Sequence, residues 1–467
     1  APGAAWGAAG VGVGHGHATV VQLLGETQAR TIVALLRDRA LALFPPVDQS
    51  SPPALGELLA EASSRAGIGA HPPGCPLPAP FAVADGAPLP IDIVTAGPHA
   101  LIAGTTGSGK SELMVSWITA LCALYPPERV VLLLADFKGG TAFAALAELP
   151  HVVGMITDLD ASGASRALES LRAELRWREA RLADADARDI ADGRVDMPRL
   201  IVVIDEFAAL LAQHPELDEL FADVAARGRA LGVHLMLGTQ RAAGTVRDGL
   251  LANIPLRFCL RVVDEGESRA VLGVAGAAAL AASHPGAMLV RRPSDGAPFA
   301  AQAVRAAMPD RAGAMRRWAG HPPPRRPWLP PLPTRLDAEA LAAVVAAADE
   351  EAFAADEGDI ARAAGAARAF SMALGLLDEP AAQRQRPWAL SPARDRSLLV
   401  VGGAGSGKTT ALRMVEHAAR GSAAVCVWIG ADREQAWDTI ERLANLPEDG
   451  GPATLVLIDD LDALIAG

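Results

Sequence analysis

Two glycine-rich octapeptides, GTTGSGKS at Gly104–Ser111 and GGAGSGKT at Gly402–Thr409, constrain this chain more than any other feature. Each follows an apolar run (HALIA and RSLLVV) and precedes a helix-periodic stretch (ELMVSWITALCAL and TALRMVEHAA). A loop of this composition between a strand and a helix turns backbone N–H groups inward, and the helix behind it points its positive end the same way. That cradle suits the β- and γ-phosphates of a nucleotide. In the first loop Gly104, Thr105, Thr106, Gly107, Ser108 and Gly109 would wrap the phosphates, Lys110 would reach the terminal ones, and Ser111 would ligate Mg²⁺. In the second loop Gly402, Gly403, Ala404, Gly405, Ser406 and Gly407 take the wrapping role, with Lys408 and Thr409 as the cation and the metal ligand.

From about residue 81 the chain alternates between strand and helix patterns. Apolar runs occur at PLPIDIV, HALIAG, RVVLLLAD, VVGMIT, RLIVVID, VHLMLGT, LRFCLRV and GAMLVRR, with helical periodicity over Ala161–Asp186 and Glu216–Ala230. Continuous apolar strands separated by helices predict a mainly parallel sheet covered on both faces, an α/β fold. Residues 1–80 read as an N-terminal segment with a short strand (ATVVQLL), a helix over Thr27–Phe44 and a Pro/Gly stretch. The first nucleotide domain is expected over 81–307. A Pro-rich and helical linker (HPPPRRPWLPPLPTR, then Asp337–Ala369) is expected over 308–385, and part of a second P-loop domain over 386–467.

Composition narrows the class. With 51% hydrophobic and 21% charged residues the chain is globular, and with only 4% aromatics its core must be built from Ala, Leu and Val. The net charge of −12 comes without the basic stripe of a duplex-DNA binder. Cys75, Cys122, Cys259 and Cys426 are far apart and read as thiols of a reducing compartment. His15 and His17 sit in a Gly-rich run with no third ligand nearby, which gives no metal site. No apolar run is long enough to span a membrane, and without a basic stretch before a cleavable apolar one a signal peptide is not expected. The chain opens on APGAAWGAAG and stops just after a strand, so a longer protein is expected, with any membrane anchor in its other parts.

RLIVVIDEFAAL carries Asp205–Glu206 to the end of an apolar strand, where ligands bind in open α/β sheets. Asp205 would hold Mg²⁺ and Glu206 would orient or deprotonate an attacking water, although an isolated acidic pair would also suit a helix N-cap. Gln240, at the end of VHLMLGTQ, is a candidate sensor of the γ-phosphate, and His234 is expected to pack within that strand. ADFKGG brings Asp136 and Lys138 to a further strand end and reads as a turn.

Taken in order, GTTGSGKSELM, LADFKGG, VVIDEFAALL, ARGRALGVHLMLGTQR, ANIPLRFCLRV and DEGESRAVLG resemble the FtsK/SpoIIIE branch of RecA-like P-loop motors over about 85–300. RPWLPPLP with GLLDEPAAQRQ, and the second P-loop itself, are similar to the EccC-type ATPases of type VII secretion. The resemblance implies ATP hydrolysis with Mg²⁺, assembly into a hexameric ring, and a place on the cytoplasmic side of a membrane. It also implies protein substrates or other secretion subunits as partners; double-stranded DNA is the alternative cargo. An arginine from one subunit would reach the nucleotide of the next, the candidates being Arg257, Arg261, Arg269, Arg166 and Arg172. In the second module TLVLIDDLDAL offers Asp459 as metal ligand but Asp460 where the first has Glu206. A carboxylate about 1 Å farther from a water can cost roughly a hundredfold in rate, so that module is expected to bind ATP and hydrolyse little.

Overall fold

A computed structural model of the chain describes residues 10–14, 17–21, 31, 53–66, 75–136, 142–157, 161–244, 246–355, 372–391, 395–420, 424–445 and 454–465. They fall into two compact units, Ala1–Pro327 and Trp328–Gly467. The expected helix over Thr27–Phe44, apart from Thr31, lies outside the described residues, as do His15 and Lys138.

The first unit opens with a small antiparallel pair, β1 (Gly10–Gly14) and β2 (His17–Val21), followed by α1 (Leu55–Ala66). The main sheet begins with the hairpin β3 (Pro78–Ala84) and β4 (Ala87–Asp92). Next come β5 (Ala100–Ala103), α2 (Lys110–Leu124), β6 (Val130–Ala135), β7 (Val152–Ile156) and α3 (Ala161–Asp184). They are followed by β8 (Arg199–Ile204), α4 (Phe207–Gln213), α5 (Leu217–Leu231) and β9 (Val233–Thr239). The unit finishes with α6 (Asp248–Ala252), β10 (Leu256–Leu260), α7 (Glu265–Leu272), β11 (Ala287–Arg291), β12 (Phe299–Ala303) and α8 (Met308–Trp318).

The ten strands of the main sheet run in the order β4-β3-β12-β11-β10-β5-β9-β8-β6-β7. From β10 to β7 every pairing is parallel, and from β10 back to β4 every pairing is antiparallel. All eight strands expected from apolar runs are present, with β3 and β12 added. The β3–β4 turn is Asp85–Gly86 with φ of 49° and 74°, the left-handed pair that a two-residue hairpin requires.

Buried α2 is the centre of the core. Trp117 stacks on Phe81 of β3 at 4.5 Å and meets Phe258 of β10 edge-on at 5.4 Å. The Trp318 indole donates to Cys122 O at 2.6 Å, and Ser116 Oγ accepts from Ala306 N at 2.9 Å. These contacts bind α8 to α2, and Leu55, Leu58 and Leu59 of α1 join the same core. The first unit therefore takes in stretches that the sequence assigned to the N-terminal segment and to the linker. Near its end Arg325 lies 3.7 Å over Trp177 and donates to buried Glu174 at 2.7 Å.

The second unit contains α9 (Ala338–Ala355), the hairpin β13 (Met372–Glu379) and β14 (Arg384–Leu390), and α10 (Lys408–Ala419). After these come β15 (Val425–Ile429), α11 (Arg433–Ala444), β16 (Thr454–Ile458) and α12 (Leu461–Ile465). The GLLDEPAAQRQ stretch, read as linker, forms most of the hairpin, and Met372, Leu374 and Leu390 pack with Val415 and Leu457 in one core. RSLLVV is not a strand here. Leu399 and Val401 are 73% and 85% exposed, because β15 and β16 pair only with each other among the described residues.

At the start of β5 and β9 two imidazoles are buried in neutral form. His99 Nδ1 accepts from Leu235 N (2.9 Å) while Nε2 donates to Ala225 O (3.1 Å). His234 Nδ1 donates to Pro98 O (2.8 Å) and Nε2 faces Arg199 (3.3 Å), so His234 packs within its strand as expected. Burial lowers His99 to about 4, and burial with Arg199 lowers His234 to about 3. Below about pH 6.5 the unfolded chain takes up protons that these folded imidazoles refuse, so stability falls with acid. The urea midpoint of the first unit's transition is expected to be level from pH 8 to 7 and to fall between roughly pH 6.5 and 5, above the carboxylate range. A midpoint that stays level across that window would mean the imidazoles are not held neutral.

Candidate nucleotide site

Sheet register builds the site. Ala103 at the end of β5 lies beside Thr239 of β9, and Ile204 at the end of β8 lies beside Leu237. The segments leaving these three strands emerge together, carrying Gly104–Ser111, Gln240 and Asp205–Glu206 to one sheet edge. Gly104 N donates to Thr239 O at 3.1 Å, Thr105 N to Arg261 O at 3.0 Å and Gly286 N to Ser108 O at 2.8 Å. The loop is thus seated on its neighbours from both sides. The brace from Gly286, in the turn before β11, has no signature in the sequence. Gly107 and Gly109 take φ of 76° and 95°, and α2 starts at Lys110, so its free N–H groups face into the loop.

Lys110 is 5% exposed, and its Nζ donates to Asp205 Oδ1 at 2.7 Å and to the Asp205 main-chain oxygen. Ser111 Oγ donates to the same Oδ1 at 3.0 Å. To reach Asp205 at the end of β8, Lys110 must cross β9, which lies between β5 and β8. It does so over Gly238, where a Cβ would fall 2.5 Å from Asp205 O, 2.9 Å from Lys110 Nζ and 3.0 Å from Met114 Sδ. Gly238 is a site residue that sequence reasoning passed over, since its only signal is a glycine breaking an otherwise bulky strand.

Glu206 Oε1 accepts from Gln240 N at 2.9 Å and from Thr239 Oγ1 at 3.3 Å. Gln240 Oε1 in turn accepts from Thr106 Oγ1 at 3.0 Å. A chain of hydrogen bonds therefore runs from the second acid of β8, across β9, to the glycine loop. The Ser111 hydroxyl and the Asp205 carboxylate are hard oxygen donors that could hold Mg²⁺. Among the described residues no cluster of three His, Cys, Asp or Glu could hold a metal. A divalent ion here would need oxygens from the ligand, as Mg²⁺ on a nucleotide does. The donors and the loop fit a phosphate chain.

Asp136 is fully buried at the end of β6, and its Oδ2 accepts from Ala142 N at 2.6 Å; residues 137–141, read as a turn, lie outside the described residues. Of the arginines, Arg257 is half-buried, and its guanidinium donates to Leu251 O, Ile254 O and Val271 O at 2.7–3.0 Å, tying α6 and α7 to β10. Arg269 is exposed and pairs with Glu265 on its own helix at 2.6 Å. Arg261 is half-buried at the end of β10, while Arg166 and Arg172 lie on α3, half-buried and exposed respectively.

In the second unit Gly405 and Gly407 repeat the loop conformation with φ of 73° and 94°. Thr409 Oγ1 donates to Asp459 Oδ2 at 2.8 Å. Lys408, however, turns back on its own loop and donates to Gly402 O and Gly403 O, both at 2.9 Å. Asp460 sits at a left-handed φ of 53°.

The phosphate loop after β5 and the two acids after β8 thus flank Gln240 after the intervening β9. Residues 68–274 match the FtsK/SpoIIIE family. This span is an FtsK/SpoIIIE domain. The chain is 39% identical over 191 residues to the type VII secretion system protein EssC of Staphylococcus aureus, covering 39% of this chain and 13% of that protein. The ESX secretion system protein EccC of Thermomonospora curvata is 30% identical over 455 residues, 82% of this chain and 34% of the relative. The chain thus spans about a third or less of these relatives. In structure it is similar to the cytoplasmic domain of the Thermomonospora curvata type VII secretion ATPase EccC. That likeness has a TM-score of 0.73 at 26% identity, over 89% of this chain and 58% of that one. The expected RecA-like P-loop architecture and the relationship to EssC and EccC both hold.

Substituting Gly238→Ala places a methyl group into the Lys110–Asp205 contact. Overpacking of this kind costs about 1–3 kcal/mol, so a lower urea midpoint is expected. Replacing exposed Gly249, where a Cβ meets nothing within 4 Å, should leave it unmoved. Equal effects of the two substitutions would remove Gly238 from the site.

Proposed function

We propose that the first unit is an ATP-hydrolysing motor module that drives protein export in a type VII-like secretion machine. The observation that carries this is the meeting of Lys110, Ser111, Asp205, Glu206 and Gln240 at one sheet edge. In this reading Gly104–Gly109 wrap the phosphates and Lys110 leaves Asp205 to neutralise the terminal ones. Ser111 and Asp205 hold Mg²⁺, which when bound offsets charge developing on the phosphates. Glu206, oriented by the Gln240 amide, accepts the proton of the attacking water, and the Gln240 side chain positions that water. Self-association into a ring would bring an arginine from a neighbour; Arg257, Arg261, Arg269, Arg166 and Arg172 are the candidates. The second unit binds ATP through Gly402–Thr409 with Asp459 as metal ligand and turns over slowly, since the shorter Asp460 stands where the first unit has Glu206.

Homology to EssC and EccC favours protein cargo over double-stranded DNA, and the net charge of −12 agrees with it. No helix among the described residues is long and apolar enough to cross a membrane, so attachment to its cytoplasmic side would depend on other parts of a longer protein.

Lys110→Ala is expected to abolish ATP binding at the first site. Glu206→Gln should keep binding while lowering turnover by about 10²–10⁴-fold. Calorimetric titration and phosphate release read the two separately, and a Glu206→Gln variant with wild-type turnover would sink the hydrolytic assignment. For cargo, phosphate release should rise with a secreted helical-hairpin protein. Steeply salt-dependent stimulation by duplex DNA instead would transfer the module to the DNA pumps.

A further inference from the structure

Helix α7 reaches the site from outside. Asp264 caps it, accepting from Glu267 N at 2.9 Å, and so fixes the first turn that carries Glu267. Glu267 Oε2 accepts from Ala242 N at 2.8 Å and from Ala243 N at 3.1 Å. These two amides immediately follow Gln240–Arg241, in the segment that leaves β9. Two successive N–H groups converging on one carboxylate oxygen make a charge-assisted clamp on that segment. Upstream of the clamp, Gln240 N holds Glu206 Oε1 and Gln240 Oε1 receives the Thr106 hydroxyl. The β10–α7 connection also touches the other side of the site, where Arg261 O accepts from Thr105 N at 3.0 Å.

We propose that Glu267 is a positioning residue for hydrolysis at the first P-loop, acting through Gln240. The inference rests on the ATPase reading above. Among the described residues Glu267 makes no hydrogen bond to the loop that would wrap the phosphates. Its carboxylate fixes where the segment after β9 turns, and this sets both hydrogen bonds of Gln240. When that clamp is removed, the Ala242 and Ala243 amides turn to water, Gln240 loses its fixed position, and the Glu206 carboxylate loses the N–H that orients it. Ground-state binding of ATP depends on other residues and stays.

The test uses the whole chain, with steady-state phosphate release, ATP binding and thermal melting measured on E267A, E267Q, Q240A and E267A/Q240A. E267A is expected to lower kcat by about 10–100-fold, the scale of a misplaced catalytic geometry, with KM within about threefold and a melting temperature near that of the wild type. E267Q, whose amide oxygen accepts the same two N–H groups, should recover most of kcat. In the Q240A background the further loss from E267A should be under about twofold, because the two residues act as one unit. If E267A fails to fold, E267D, one methylene short of the amides, gives the same readings. A kcat within twofold of wild type overturns the proposal. So does an equal loss in the wild-type and Q240A backgrounds, or a melting temperature that falls in step with kcat. Absence of turnover in the wild type, or wild-type turnover in Lys110→Ala, would instead overturn the ATPase reading.

Discussion

An ammonium ion that is 5% exposed can exist in a protein only beside an opposite charge, and Lys110 finds it in Asp205, itself 1% exposed. Removing one partner of such a buried pair typically costs about 3–5 kcal/mol, because the other charge is left without compensation. The contact demands that a helix start after β5 and an acid end β8, with β9 between them carrying no side chain at the crossing point. The strand order β5-β9-β8, Gly238 and the seat of the glycine loop on Thr239 and Arg261 all satisfy that demand.

Around this pair the polar groups are arranged in a line rather than a cluster. Asp205 faces the cation, Glu206 is turned to the Gln240 amide, and Gln240 is turned to Thr106. The two adjacent acids therefore have separate partners, which is what a division between metal binding and proton transfer requires. In the second unit only the first half of that arrangement is found among the described residues: Thr409 meets Asp459, and Lys408 stays on its own loop.

Much of this was legible in the residue order. Buried strands announce themselves as apolar runs, and eight were read in that way, six of them in the parallel stretch from β10 to β7. β3 was hidden by Pro78 and Pro80, which are tolerated because Pro78 is the first residue of the strand and Pro80 sits at a register shift, outside the stretch paired with β12. That turn, Asp85–Gly86, was a hairpin signal in plain view. β12 (FAAQA) has too little hydrophobicity to be recognised alone and is a strand because β11 and β3 flank it. The boundaries moved for the same reason. Helix α8 belongs to the first unit through Trp318 on Cys122, and the β13–β14 hairpin belongs to the second through Met372 and Leu390, contacts no local window contains. The three carbonyl partners of Arg257, from α6, α7 and the turn before β10, likewise became visible only in the fold.

The two glycine loops separate local from non-local control within one molecule. Gly107 and Gly109 differ from Gly405 and Gly407 by no more than 3° in φ, although β5 has strands on both sides and Leu399–Val401 has none among the described residues. The loop shape is a property of the GSGK sequence, because only glycine takes those angles without a steric penalty. Where the lysine goes is not. Lys110 crosses a glycine in the adjacent strand to a buried acid, and Lys408, with no such strand beside it, folds back onto its own carbonyls. A charge settles where partners sit, and partners from distant strands are placed by the sheet.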